Sequence, residues 1–185
     1  MSQVTVLLEA ARRGEAGAMD RLFGVLYDDL HQLAHSKLRR SAEMTLLDTT
    51  ALVHESYLRL LNAGSLEARD KGHFMGYAAR VMRSIVVDFV RRRMADRRGG
   101  NAVHVDLEEE IAQLADPRER ELMQVHEALE ELAKIDPRLV QVVEMRYFAG
   151  MTETEVAAAL GVNDRTVRRN WQKARLILAD ALKEP

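Results

Sequence analysis

The 185-residue chain contains no cysteine. Disulfides and thiolate metal centres are excluded, and no oxidising compartment is required. Only 3 prolines interrupt it, so long helices meet few breaks. Aromatic residues make up 5%, while Leu, Ala, Met, Arg and Glu abound. Straight side chains lose little rotamer freedom in a helix, so this mix favours helix over sheet. No apolar run approaches the roughly 20 residues of a membrane span. The first nine residues lack the basic-then-apolar layout of a secretory signal. The expectation is a cytoplasmic protein with no membrane partner. Gly-rich phosphate loops, nucleophile elbows and paired-carboxylate motifs are also missing, so no enzyme, cofactor or metal site is expected. His31 and His35 stand at i, i+4 without an evident third ligand and read as a surface pair.

Charge is scarce only on average. The net charge is −2, which alone argues against nucleic acid. Locally, positive charge gathers in 71–98 and 165–175, and negative charge in 105–131. A near-neutral mean can thus hide two basic faces separated by an acidic segment.

Periodicity predicts an all-α chain with no alternating strand pattern. Helices are expected over 4–12, 18–38, 48–61 and 74–93. The run Arg97, Arg98, Gly99, Gly100, Asn101 breaks the pattern. Further helices are expected over 121–135, 137–148, 152–160 and 163–182. The reading is two small helical domains, 1–96 and 119–185, joined by an acidic linker, 97–118.

The segment 152–167 is the most informative. Thr152 and Glu155 match a capping box. Val156, Ala157 and Leu160 give a short helix its apolar face, with Ala157 small enough for a second helix to cross closely. Gly161 sits where a left-handed residue ends a helix, and Val162 is expected to plug the corner. Asn163 or Asp164 caps the next helix, and Val167, Trp171, Ala174 and Leu178 pack back. This is the pattern of a helix-turn-helix. Its second helix exposes Arg165, Thr166, Arg168, Arg169, Lys173 and Arg175, and its first turns would enter a major groove, where Arg grips guanine O6 and N7. The plainer alternative is a solvated basic helix in an αα-hairpin.

Two other segments are unusual. On the third helix, Glu55 and Arg59 stand at i, i+4, expected opposite the apolar face, able to pair with each other or with a partner helix. On the fourth, Arg80, Arg83, Arg91, Arg92 and Arg93 could neutralise phosphates along its length. His73, Phe74 and Tyr77, with the loop 63–73, either line a pocket for unpaired bases or belong to the core.

These three segments, Leu52–Leu60, Phe74–Arg93 and Leu132–Leu182, carry a resemblance in order along nearly the whole chain. The chain resembles a bacterial RNA polymerase sigma factor of the sigma-70 family, extracytoplasmic-function (ECF) group. The resemblance implies that Asp48, Leu52, Glu55 and Arg59 dock on core polymerase at the β′ clamp helices, with the β flap a further contact. It implies that His73, Phe74, Tyr77, Arg80, Arg83, Ser84 and Arg91 open and read the −10 element. Arg165, Thr166, Arg168, Arg169 and Lys173 would then read the −35 element as duplex. The acidic linker would thread through the polymerase.

The chain departs from the family where Tyr77 replaces a frequent Trp, where Ser84 replaces a frequent Asn, and at 48–51. There a usual acidic run gives way to Asp48, Thr49, Thr50, Ala51. Phosphorylation of Thr49 or Thr50 would add roughly −1.5 to −2 charge near a helix N-terminus, restoring the acidity. The stretch Thr50, Ala51, Leu52, Val53, His54, Glu55 resembles a subgroup associated with Ser/Thr kinases. The alternative is that one Thr is only an N-cap. Two rival functions remain at this stage: a stand-alone helix-turn-helix regulator that binds its operator by itself, and an adaptor that binds only protein. Whether the two domains pack together when free is open.

Overall fold

The computed structural model describes residues 2–40, 48–62, 68–97 and 117–183. Residues 98–116 of the expected linker 97–118, and part of the loop, 63–67, lie outside the described residues, while 97, 117 and 118 belong to helices. All regular structure among the described residues is helical: α1 (Gln3–Arg12), α2 (Ala18–Arg40), α3 (Thr49–Asn62), α4 (Lys71–Arg97), α5 (Pro117–Ile135), α6 (Pro137–Val143), a π-helical turn (Glu144–Phe148), α7 (Glu153–Leu160) and α8 (Asp164–Ala181).

The ends follow local chemistry. Ser2 caps α1. Asp48 Oδ1 accepts from Ala51 N at 2.7 Å, so Asp48 caps α3. The N-cap alternative for Thr49 and Thr50 therefore gives way: both stand inside the first turn, Thr50 exposed. Asp70 caps α4 through His73 N. That cap lengthens α4 beyond the expected 74–93 at its start, and the lack of a breaker carries it to Arg97. Pro137 begins α6 where its missing N–H costs nothing. The expected single helix 137–148 instead changes to π winding at Glu144, a bulge of the kind that marks sites where a side chain is re-aimed.

α1 to α4 enclose one core, in which Leu8, Leu22, Leu26, Leu30, Leu52 and Phe74 are fully buried. Phe23 meets the edges of Tyr57 and Phe74. α5, α6, α7 and α8 enclose a second, built from two linked clusters that share Trp171. The two halves are packed together. α4 lies against the π turn, α7 and α5, and Leu122, Phe148 and Ala149 from the second half pack on the first core.

α4 consequently has three differently used faces, as its 3.6-residue period allows. Phe74, Ala78, Met82 and Ile85 enter the first core. Gly72, Gly76 and Arg83 meet the second half. Arg80 and Arg91 remain exposed, with Ser84 half-buried between them.

Candidate nucleic-acid interface

The helix-turn-helix forms as its residues dictate. Thr152 Oγ1 accepts from Glu155 N, and Glu155 Oε2 accepts from Thr152 N at 2.8 Å, completing the capping box. These bonds to the ionised carboxylate hold the Glu155 pKa below its ordinary value. Gly161 ends α7 at φ 66°, where a side chain would be strained. Asn163, not Asp164, caps α8 through Thr166 N at 2.8 Å. Val167 and Ala174 are buried, and Trp171 joins both clusters. Val162 does not plug the corner. It is exposed, and only its backbone N–H, donating to Ala157 O, serves the turn.

The first turns of α8 present a concavity of about 600 Å³ lined by Asn163, Arg165, Thr166, Arg168, Arg169 and Gln172. Arg165, Arg169 and Lys173 are exposed and make no ion pair among the described residues. Arg168 differs. Its guanidinium donates twice to Glu153 Oε2, at 3.0 and 3.2 Å. Glu153 also faces Arg146 at 3.7 Å, and Arg146 stacks over Trp171. Glu153 escaped sequence reasoning because it belongs to α7, fifteen residues from Arg168 and on no shared helical face. Arg165, Arg168, Arg169, Lys173 and Arg175 are thus all exposed on a rigidly capped helix, and among the described residues a carboxylate holds Arg168.

On the first half, Arg80 and Arg91 are exposed on one stripe of α4 with Ser84 between them. Ser84 Oγ accepts from Arg59 and donates to Val81 O. Arg59 also reaches Asp88 at 2.8 Å and Glu55 at 3.5 Å. Arg59 is therefore directed at α4 and not away from the fold, which corrects the expected placement of the Glu55–Arg59 pair. Phe74 and Leu52 are fully buried. Neither is presented to a partner in this structure, because the first core needs their apolar volume. Tyr77 is half-buried against that core. His73 lines a cavity of about 520 Å³ together with Arg12, Arg69, Asp70, Gln141 and Gly161.

Arg83 is the largest departure from expectation. It does not face outward. Its Nε and one terminal nitrogen donate to Glu144 Oε1 at 2.9 and 2.8 Å, with both side chains 4% exposed. Its other terminal nitrogen donates to His126 Nδ1. Position 83 is one helical turn from Arg80, so spacing alone could not separate a DNA-facing arginine from one that joins the halves.

The same arrangement acts on His126, whose Nδ1 accepts from Arg83. Burial first, then the Arg83 charge, with Arg91 adding to it, lowers its pKa against the smaller opposing pull of Glu130 and Glu127. A histidine with a folded pKa below its ordinary value of about 6.5 gives stability that is fully present above that value and is lost as pH falls below it and through the lower folded pKa. Urea midpoints measured from pH 8 to pH 5.5 should therefore fall on the acid side. His126→Gln should flatten that slope; an unchanged slope would show that His126 does not carry it.

No described helix is long and apolar enough to cross a membrane. Among the described residues, no group of three or more metal-ligating side chains comes together. Comparison with curated proteins returns no match. The model of the ECF sigma factor family matches residues 1–184. That match takes in the capped helix-turn-helix, the Arg-bearing α4 and α3 in one frame. It explains why two basic surfaces occur in one chain of nearly neutral charge: core RNA polymerase and promoter DNA are the partners of such proteins. The chain belongs to the ECF sigma factor family, whose members act with core RNA polymerase in transcription initiation.

Proposed function

We propose that the two halves divide the promoter between them. The second half, about 119–185, reads the −35 element as duplex through Arg165, Thr166, Arg168, Arg169 and Lys173. The first half, about 1–96, holds the β′ clamp helices through the α3 region and opens the −10 element with α4. The observation that carries this reading is the exposed Arg165, Arg169 and Lys173, which make no ion pair among the described residues, on a helix fixed at both its cap and its core. Arg80, Ser84 and Arg91 are the α4 residues available to nucleic acid, and the cavity beside His73 and Arg69 is a place for an unpaired base. The apolar groove of about 700 Å³ bordered by Leu129, Tyr147, Trp171 and Leu176 suits an apolar element of the polymerase such as the β flap. Leu176 is 74% exposed there, which fits a surface completed by a partner.

Run-off transcription with purified core polymerase on a promoter library tests the assignment. Discrete promoter-specific transcripts are expected. Their absence, with unmodified and phosphomimetic chains alike, would remove it.

Docking is proposed to depend on phosphorylation of Thr49 or Thr50 by a Ser/Thr kinase. Thr50 is exposed and Thr49 half-buried in the first turn of α3, and that turn contains no acidic residue. An added phosphate there meets orphan N–H groups and a favourable helix dipole. Thr50→Glu should bind core polymerase several-fold more tightly than Thr50→Ala in a pull-down titration. Equal binding by wild type and both variants, repeated at Thr49, would end the idea.

A further inference from the structure

The capping box at the start of α7 occupies Thr152 and Glu155 and leaves Glu153 out. The Glu153 carboxylate works outside its own helix. Its Oε1 faces Arg146 at 3.7 Å, and its Oε2 accepts from Arg168 Nε and Nη2 at 3.2 and 3.0 Å. Arg146 in turn stands over the Trp171 ring, 5.5 Å from its centroid, and Trp171 packs on both clusters of the second core. Side-chain exposure is 24% for Arg146, 25% for Glu153 and 62% for Arg168. A pair between two exposed side chains holds neither partner firmly, because both keep their rotamer freedom. Here the carboxylate is largely enclosed and anchored from behind, so it can fix the arginine in front. A second link keeps the two helices in register: Thr154 Oγ1 donates to Asp164 Oδ2 at 3.0 Å.

A guanidinium carries its N–H donors in a planar fork. Glu153 takes one on Nε and one on Nη2, along one edge of the plane. The edge between Nη1 and Nη2 still offers two parallel donors, and among the described residues nothing accepts from Nη1. In a major groove, guanine O6 and N7 match two parallel donors, whereas adenine sets a donor beside its N7 and leaves one of them unpaired. A phosphate can also accept two bonds. Its attraction to Arg168 is weakened, however, because the Glu153 carboxylate offsets the guanidinium charge and itself repels a phosphate. Arg165 and Arg169 have no such countercharge among the described residues. The carboxylate thus lowers the part of the attraction that any duplex would share and keeps the part that depends on the base.

We propose that Glu153, anchored by Arg146, is a positioning residue that confines Arg168 to a base edge, so that the pair selects guanine at one place in the −35 element. This rests on α8 being the reader of that element, as proposed above. The pair contributes discrimination more than affinity. Arg168 arrives with its orientation set and its charge partly offset, whereas a free arginine gains more from any duplex.

Run-off transcription by the full chain with core polymerase, on a library randomised through the −35 element, gives the preference at each position. Wild type should favour guanine over adenine about tenfold at one position. Arg168→Ala should erase that preference while the other positions keep theirs. Arg168→Lys should erase it too, since an ammonium keeps the charge without the fork. Glu153→Gln should reduce the preference at that same position several-fold. It should also steepen the salt dependence of promoter binding by about one, as expected when one cation is freed for phosphate. Glu153→Gln combined with Arg168→Ala should match Arg168→Ala alone, because a residue that acts through another adds nothing once the other is gone. A Glu153→Gln protein that only folds less well would lose transcription evenly across the library. That even loss, a preference untouched by Glu153→Gln, or an Arg168→Ala protein that weakens every sequence alike overturns the assignment. A wild-type chain that yields no promoter-specific transcript removes the promoter reading itself, on which the assignment stands.

Discussion

Glu144→Ala is expected to abolish the cooperative union of the two halves. The substitution leaves the Arg83 guanidinium 4% exposed and facing no carboxylate. An uncompensated buried charge of this kind costs about 3–5 kcal/mol. His126 cannot offset it, since its ring only accepts a hydrogen bond and gains no negative charge. For a chain of this size each 1 kcal/mol moves the melting midpoint by roughly 2–4 °C, so calorimetry should show a fall of about 6–20 °C. The chain has a cheaper escape than unfolding, because Arg83 regains water once α4 leaves the π turn. The single transition is therefore expected to split or broaden. Replacing both partners with apolar residues of similar size, Arg83→Met with Glu144→Leu, should recover most of the loss, because no charge is then left buried. Glu144 Oε2 has no hydrogen-bond partner among the described residues, so the native carboxylate is itself incompletely satisfied and its replacement sacrifices only the bonds to Arg83. A Glu144→Ala chain with one sharp transition within 2 °C of wild type would show that the pair does not join the halves.

The second large effect is expected on promoter reading. Arg165→Ala and Arg169→Ala should each reduce promoter-specific transcription by roughly 5- to 150-fold, the range of about 1–3 kcal/mol for a well-placed arginine–base contact. Arg168→Ala should cost less. In the free chain Arg168 already holds two hydrogen bonds to Glu153 and must release or share them to reach DNA. Charge then separates two kinds of contact. Loss of a base contact relaxes preference at one promoter position, whereas loss of a phosphate contact weakens all sequences and lowers the salt slope by about one. Glu153→Gln should raise affinity for unrelated duplexes by freeing Arg168. Equal effects of the three arginine substitutions would argue that Glu153 has no influence on the recognition helix.

Both expectations turn on contacts between residues far apart in the chain, and that is where the sequence stopped being informative. The helices themselves were legible. Apolar spacing placed α1, α2, α3 and α8 to within a few residues, because each buries one stripe and that stripe has a period. The capping box Thr152–Glu155 and the left-handed Gly161 were legible for the same local reason: their partners lie three or four residues away. So was the basic surface of α8, where the buried Val167, Trp171 and Ala174 leave Arg165, Arg169 and Lys173 only outward directions.

Tertiary structure alone decided which cations are free. Arg80 and Arg83 have the same chemistry and adjacent places on α4, yet one is exposed and the other fully enclosed. The difference is made by Glu144, sixty-one residues further on. It also decided that Phe74 and Leu52 serve the first core and that Arg59 turns toward Ser84 and Asp88. It gave Gly72 and Gly76 a role as a seam, where the sequence shows only two residues that weaken a helix. Local rules specify what a residue can do over one or two turns, because those neighbours are fixed by the backbone. Which charge meets which countercharge depends on how helices are brought together, and two basic helices of similar pattern gave no way to read that in advance.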